Sequence, residues 1–283
     1  MGYDYHRPTS LEEALALASE IPGARFIAGG TDLLVQESNG RLAAPALISL
    51  RRLPELGGID VSDRIRIGAA VPLADVVAHP EIVSTYPALA ASIRVLGSAQ
   101  IRNVATLGGN LCNASPAADT APALLVYGAT VEIRGLDTTR ELPLEDFFVG
   151  PGETALRPGE VLTAVWLEPP PEGTRSVFLR KGRVTMDLAI VSVAASARRH
   201  GTSYTGVRLA AGAVAPTPVR LSRSEGVAEG TDLNPEVRAE AAGTAREEIS
   251  PISDLRSSAS YRTHLTGVFV ERALATLTEE NPR

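Results

Sequence analysis

The chain has 283 residues, enough for two domains, and its 44% hydrophobic and 21% charged residues are the balance of an ordinary water-soluble globular protein. A net charge of −6 argues against nonspecific nucleic-acid binding, and no apolar run nears the roughly 20 residues that span a bilayer. A single cysteine, Cys112, excludes an internal disulfide and an all-cysteine iron–sulfur cluster, and His6, His79, His200 and His264 are too scattered to supply a metal-ligand pair. The start, Met1-Gly2-Tyr3-Asp4-Tyr5, lacks a basic segment followed by an apolar one, so no secretory leader and a cytoplasmic location are expected.

In chain order, Thr9-Ser10-Leu11-Glu12-Glu13 reads as a capping box, with Leu11, Ala14, Leu15 and Ala18 following at helical spacing. Strands are expected at Arg25–Ala28, Ala46–Leu50 and Arg64–Gly68, and a helix at Pro87–Leu96 with Gly97 just past its end. From Ile101 to Asp119 the sequence is rich in Gly, Asn, Ser and Ala without helical or strand periodicity, which predicts a long irregular loop of the kind that carries function. A short helix at Ala121–Tyr127 and strands at Thr130–Arg134 and Val161–Leu167 follow. Pro169-Pro170-Pro171-Glu172-Gly173 marks a domain boundary, because consecutive prolines cannot continue a helix or a central strand. Beyond it, strands at Ala189–Ala197 and Val207–Ala213 precede helices at Pro235–Ala245 and Ser258–Leu277, an α+β order.

Two glycine loops are the sharpest local features. In Phe26-Ile27-Ala28-Gly29-Gly30-Thr31-Asp32-Leu33 a strand runs into paired glycines and a polar residue. Such a turn can be a simple strand-to-helix connection, or its successive N–H groups can form an anion nest suited to a diphosphate. Thr106-Leu107-Gly108-Gly109-Asn110-Leu111 repeats the logic, and Asn113, Ser115 and Asp119 follow closely. Two loops of this kind can grip a diphosphate from both sides, with Asp119 free to accept from ribose hydroxyls or a ring N–H, or to cap the next helix. Neither loop is a Walker A sequence or a G-x-G-x-x-G fingerprint, so a non-Rossmann dinucleotide is the better fit.

Together, Ala28-Gly29-Gly30-Thr31-Asp32-Leu33, Gln100-Ile101-Arg102-Asn103 and the run from Ala105 to Asp119 closely resemble the FAD-binding medium subunit of molybdenum hydroxylases, the xanthine dehydrogenase and aerobic carbon monoxide dehydrogenase family. Ile252-Ser253-Asp254-Leu255-Arg256 and Ser260-Tyr261-Arg262 resemble that family's C-terminal domain. The resemblance implies an α+β fold: a vanillyl-alcohol-oxidase (PCMH)-type FAD-binding domain over 1–170, with two α/β subdomains at about 1–60 and 61–170, then a carbon monoxide dehydrogenase flavoprotein-type domain over 174–283. It implies that Phe26, Ile27, Ala28, Gly29, Gly30, Thr31, Asp32 and Leu33 wrap the FAD diphosphate, and that Leu96 and Gly97 line the cofactor. Thr106, Gly109 and Asn110 meet the diphosphate from the other side, Ser115 and Asp119 lie toward the adenosine part, and Leu162 or Thr163 approaches by backbone. A basic residue before Asp187-Leu188-Ala189, here Arg180 or the chain's one lysine, Lys181, completes the set, and Lys181 is taken as the site residue.

Because neither loop contains a histidine, noncovalent FAD is expected, and Cys112 alone cannot hold the iron–sulfur cluster inserted in one subgroup. The resemblance further implies a large molybdopterin-binding subunit and a small subunit with two iron–sulfur clusters, assembled as a dimer of heterotrimers. Electrons would pass from those clusters to the flavin and on to NAD, oxygen, a quinone or another acceptor. No catalytic side chain is required of this chain, and no metal. The alternative is a stand-alone FAD-dependent oxidoreductase of the same fold.

Overall fold

The computed structural model describes residues 3–184 and 186–279. Met1 and Gly2, on which the expectation of no leader partly rests, and the last four residues of the expected second domain lie outside them.

The first subdomain comprises β1 (Asp4–His6), α1 (Leu11–Glu20), β2 (Arg25–Ile27), α2 (Leu33–Ser38) and β3 (Ala46–Ser49), with parallel strands in the order β1-β3-β2. Parallel pairing requires a crossover between strands, and the helices supply it. The capping box forms: Ser10 Oγ accepts from the Glu13 N–H at 3.1 Å, and the Glu13 carboxylate accepts from the N–H and hydroxyl of Thr9 at 2.7 and 2.9 Å. Those bonds from Thr9 hold Glu13 below the usual carboxylate range. Leu11, Ala14 and Leu15 then pack on Ile48, Leu50, Leu53 and Leu56.

A 3-10 turn at Pro54–Leu56 leads through Gly57-Gly58 into the second subdomain. Its strands are β4 (Ile59–Val61) and β5 (Ile65–Gly68), then, after six helices, β6 (Thr130–Arg134) and β7 (Thr139–Pro143). The helices are α3 (Leu73–Ala78), α4 (Pro80–Thr85), α5 (Pro87–Arg94), α6 (Ala99–Arg102), α7 (Leu107–Cys112) and α8 (Thr120–Val126). α9 (Leu144–Phe147), the hairpin β8 (Phe148–Gly150) and β9 (Glu153–Thr154), and β10 (Val161–Leu167) complete it. The five-stranded sheet, β4-β5-β10-β6-β7, is antiparallel throughout, so the alternating α/β pattern expected of both subdomains belongs to the first alone. Because β4 already pairs with β5, the passage between subdomains falls at Gly57-Gly58, slightly before the expected position near 60.

The expected irregular loop after Ile101 instead contains α6 and α7, with 4 and 6 residues. Helices of one turn or so show no periodicity, and glycines at two of six positions mask α7 further. Their signal was in the caps, since Ser98 Oγ accepts from Ile101 N–H and Thr106 Oγ1 from Gly109 N–H. The helix expected to reach Leu96 ends at Arg94.

The C-terminal domain has β11 (Thr174–Lys181), β12 (Val191–His200), β13 (Ser203–Gly212) and β14 (Val219–Arg220), antiparallel in that order, followed by α10 (Ser222–Ala228), α11 (Pro235–Glu247) and α12 (Ala259–Thr278). The sequence did not announce β11, whose polar and basic residues hide its period-2 pattern. Phe178, Ala194 and Ala210 join the core of the second subdomain, while Val177 and Leu179 join the core beneath the C-terminal helices. One face of this sheet therefore closes on the second subdomain. Arg262, buried on α12, donates to the carbonyls of Ile190 at 2.6 Å and Ala213 at 3.0 Å and to Asp254 at 2.8 Å, tying the strand ends together. Bonds from Arg256, Arg262 and Ser257 outweigh partial burial of Asp254 and hold its carboxyl down at about 2.

Candidate functional site

The two glycine loops, one from each subdomain, meet backbone to backbone. A Cβ on Gly29 would lie 2.8 Å from the carbonyl carbon of Val104 and 3.0 Å from Cα of Ala105, and closer still to the Val104 oxygen. Glycine is obligatory there for packing of one loop against the other. Gly30 has φ +71°, a left-handed conformation that makes the turn into α2. Gly108 rests on Ala69, whose Cβ would be 2.5 Å from any Cβ added to it.

The loops differ in what they offer an anion. Among the described residues, no protein acceptor takes the N–H of Gly29, Gly30, Thr31 or Asp32. These four consecutive N–H groups surround a positive-φ glycine, the backbone arrangement from which anion nests are built. In the second loop the amides are occupied: Leu107 donates to Val71 O at 3.2 Å, Gly108 to Ala69 O at 3.0 Å, and Gly109 and Asn110 to the side chain and carbonyl of Thr106, each at 3.0 Å. The nest expected from this loop is therefore absent, because its N–H groups are spent on docking and capping α7. Thr106 is the buried cap itself, Gly109 is exposed beside it, and Asn110 is half-buried with Oδ1 accepting the Thr120 hydroxyl at 2.6 Å. What this loop leaves exposed is the bare surface of Gly109.

The remaining expected residues are placed as follows. Phe26 and Ile27 form β2; Phe26 packs on the first core, Ile27 is buried, and Ala28 is half-buried at the strand's end. Asp32 occupies the cap position of α2 without capping it and is exposed, and Leu33 begins the helix. Leu96 packs on the main core, Gly97 turns at φ +53°, and Arg102 donates to both their carbonyls, at 3.0 and 3.2 Å. Arg102 therefore braces this turn. Ser115 Oγ accepts from Ala117 N–H at 3.2 Å. Leu162 is buried in the main core beside a bulge at Thr163, whose carbonyl accepts from Ala69 N–H. Cys112 packs on the main core, where burial pushes its thiol up to about 12.

Asp119 does not cap α8. Its two oxygens both accept from Nε of Arg180 at 3.0 Å, with the carboxylate 5% and the guanidinium 10% exposed. Burial raises the Asp119 carboxyl to about 6 even though the charge of Arg180 opposes that shift. Arg180 also donates to the carbonyl of Asp187. Strand alternation separates the two basic candidates: Arg180 shares the face of Phe178 toward the second subdomain, whereas Lys181 shares the face of Val177 and Leu179 and is exposed. The structure thus brings Arg180, not Lys181, to Asp119, and the buried Phe178 two residues earlier was the available signal. A further contact the sequence did not suggest joins the loops directly: Gln36 Nε2 on α2 donates to Asn113 Oδ1 at the end of α7, at 3.1 Å.

A cleft of about 540 Å³ near α1 is lined by Glu55, Arg66, Glu132, Arg134 and Thr163 and contains no residue of either glycine loop. Its polar groups are engaged with one another and with neighbours: Glu132 accepts from Thr163 and Trp166, and Arg66 donates to the carbonyls of Glu55 and Gly57. The free amides at Gly29–Asp32 are the better cradle for a diphosphate, and the donor set fits that group.

Residues 1–169 match the family described as the FAD binding domain in molybdopterin dehydrogenase, and residues 177–277 match the CO dehydrogenase flavoprotein C-terminal domain. The putative xanthine dehydrogenase FAD-binding subunit XdhB of Escherichia coli K12 is 32% identical over 275 residues, covering 96% of this chain and 94% of that protein. The carbon monoxide dehydrogenase medium chain of Hydrogenophaga pseudoflava is 31% identical, covering 96% of each. A solved structure of carbon monoxide dehydrogenase from the same organism superposes with a TM-score of 0.95 at 30% identity, covering 97% of this chain and 96% of that one. With its parallel and antiparallel subdomains meeting at two glycine loops under a C-terminal α+β domain, the chain belongs to the family of FAD-binding subunits of molybdenum hydroxylases, the oxidoreductases that include xanthine dehydrogenase and carbon monoxide dehydrogenase.

Proposed function

We propose that this chain holds FAD noncovalently across the two glycine loops and serves as the electron-transfer subunit of a molybdenum hydroxylase. The observation that carries this is the run of four unpartnered amides at Gly29–Asp32, held against the second loop by the Gly29–Val104 contact. The first loop would bind the diphosphate by its amides, and Gly109 and Asn110 would face it from the other side. Leu96-Gly97 would flank the cofactor where Arg102 holds them, and Asp119 and Ser115 would lie toward its adenosine part, with Leu162-Thr163 approaching by backbone. Arg180 takes the place first given to Lys181, because it reaches Asp119 and the lysine does not. When bound, FAD supplies the redox chemistry, accepting electrons from iron–sulfur clusters of a small partner subunit and passing them to NAD, oxygen, a quinone or another acceptor. The chain's own residues bind and orient the cofactor and keep water from the face they cover; no side chain is assigned a proton to move.

We further propose domain limits at 1–170 and 174–283, which the Pro169–Gly173 connection between β10 and β11, free of helix and strand, supports. The assembly would be a dimer of heterotrimers with a large molybdopterin-binding subunit, in the cytoplasm. No helix among the described residues is long and apolar enough to cross a membrane. The test is an absorbance spectrum of the purified chain, repeated after unfolding, with co-purification of partners. Near-stoichiometric flavin released on unfolding, together with molybdenum and iron–sulfur chains, is the expected result. A colourless chain that takes up no added FAD would refute the cofactor site, and substrate turnover by the isolated chain would favour a stand-alone oxidoreductase.

A further inference from the structure

We propose that Gln36 and Asn113 form a clasp that fixes the spacing of the cofactor cleft, as positioning residues that act through the free amides of the first loop; this rests on the FAD reading above. The first glycine loop runs directly into the short helix α2, and the glycines of the second lie within the short helix α7. At the glycine end the two segments touch through Gly29 and Val104-Ala105. At the other end they are joined by Gln36 Nε2 donating to Asn113 Oδ1 at 3.1 Å, across 77 residues of sequence and from one subdomain to the other.

The two helices are anchored very unequally. α7 buries Leu107, Gly108 and Leu111 and is capped by Thr106, and Asn113 N–H donates to Gly109 O at 3.0 Å, so the acceptor sits on a fixed support. α2 buries none of its residues and has no side-chain cap. Little apolar packing sets its direction, and the turn bearing the free amides of Gly29–Asp32 is continuous with it. A helix without a core face is placed by its specific contacts, and here the cross-loop side-chain bond is Gln36 to Asn113. Both groups are neutral amides, so the clasp does not depend on ionisation. By holding four donors at one distance from the second loop it lowers the ordering cost of binding, which is where preorganisation gains affinity.

The experiment compares the full chain with Gln36→Ala, Asn113→Ala, the double variant and the exchanged pair Gln36→Asn/Asn113→Gln. FAD affinity and release rate are read by flavin fluorescence, and the unfolding midpoint without FAD serves as the folding control. A half-buried neutral hydrogen bond predicts about five-fold weaker binding and faster release for each single variant. The double variant should bind no worse than either single one, and the exchanged pair, which keeps the total reach, should recover to within about two-fold. Losses that multiply in the double variant would overturn the clasp, as would unchanged affinity beside a lowered FAD-free midpoint, which marks a structural role only. A wild-type chain that binds no FAD refutes the cofactor reading itself; a wild type that binds, with variants that bind equally well, refutes the clasp alone.

Discussion

Replacing Gly29 with alanine isolates the contact between the loops. The added Cβ would lie 2.8 Å from Val104 C and 3.0 Å from Ala105 Cα, against the ~3.5–4.0 Å of an ordinary carbon–carbon contact. Both obstacles are backbone, so no rotamer change relieves them, and the loops must separate by about 0.7–1.2 Å. Overpacking of this kind costs about 1–3 kcal/mol, and the rigidity of both sides places Gly29→Ala in the upper part, about 2–3 kcal/mol. At roughly 2–4 °C per kcal/mol for a protein of this size, the unfolding midpoint should fall by roughly 4–12 °C. The separation falls across the cleft, so flavin content per chain should fall as well. Gly40→Ala is the control: Gly40 also has a positive φ, +66°, yet nothing lies within 4 Å of an added Cβ. It should lose only the backbone cost of about 1–2 kcal/mol and keep its flavin. A Gly29→Ala chain with wild-type midpoint and flavin content, or one no worse than Gly40→Ala, would refute the close-approach argument.

Arg180→Gln leaves Asp119 buried without its counter-charge and should destabilise by about 3–5 kcal/mol in denaturant unfolding, with part recovered by adding Asp119→Asn. Lys181→Ala, on the exposed face, should change stability by no more than about 0.5 kcal/mol and leave flavin content as it is. Asp119 carries a carboxyl raised by burial to about 6, so the native state binds the extra proton: its contribution to stability is complete below about pH 4 and is lost as pH rises through about 6. The wild-type midpoint minus that of Asp119→Asn, followed from pH 4 to 7, should decline across that window; a flat difference would contradict it. Asp254 has the opposite sign, because its carboxyl is held down at about 2: its contribution is present above about pH 4 and is lost as pH falls toward 2. Asp254→Asn, which frees buried Arg262 from its anion, should therefore lower the midpoint at neutral pH, and the deficit should shrink in acid.

Which parts of this molecule could be read from its residues follows from the length scale over which each signal is averaged. Thr130–Arg134 and Val161–Leu167 emerged with their observed bounds because apolar β-branched residues sit on buried strands there. The capping box at Ser10 was legible because both partners lie within four residues. α6 and α7 were hidden because one helical turn contains no repeat, and β11 because alternation was overwritten by arginine and lysine on a strand facing two different environments. The same limit governed the site. Paired glycines told that backbone must approach something closely, but not what: Gly29 meets Val104, Gly108 meets Ala69, and only the amides around Gly30 are left for an anion. Arg180 and Lys181 could not be told apart in the sequence for a related reason, since adjacent residues on a strand point to opposite faces and only the pairing with β12 fixes which face meets Asp119. A motif therefore states a backbone requirement, and the fold decides whether protein or ligand meets it. In the second loop the protein has already done so, which leaves the first loop as the place where a substitution that fills or tilts the amide run should cost cofactor before it costs fold.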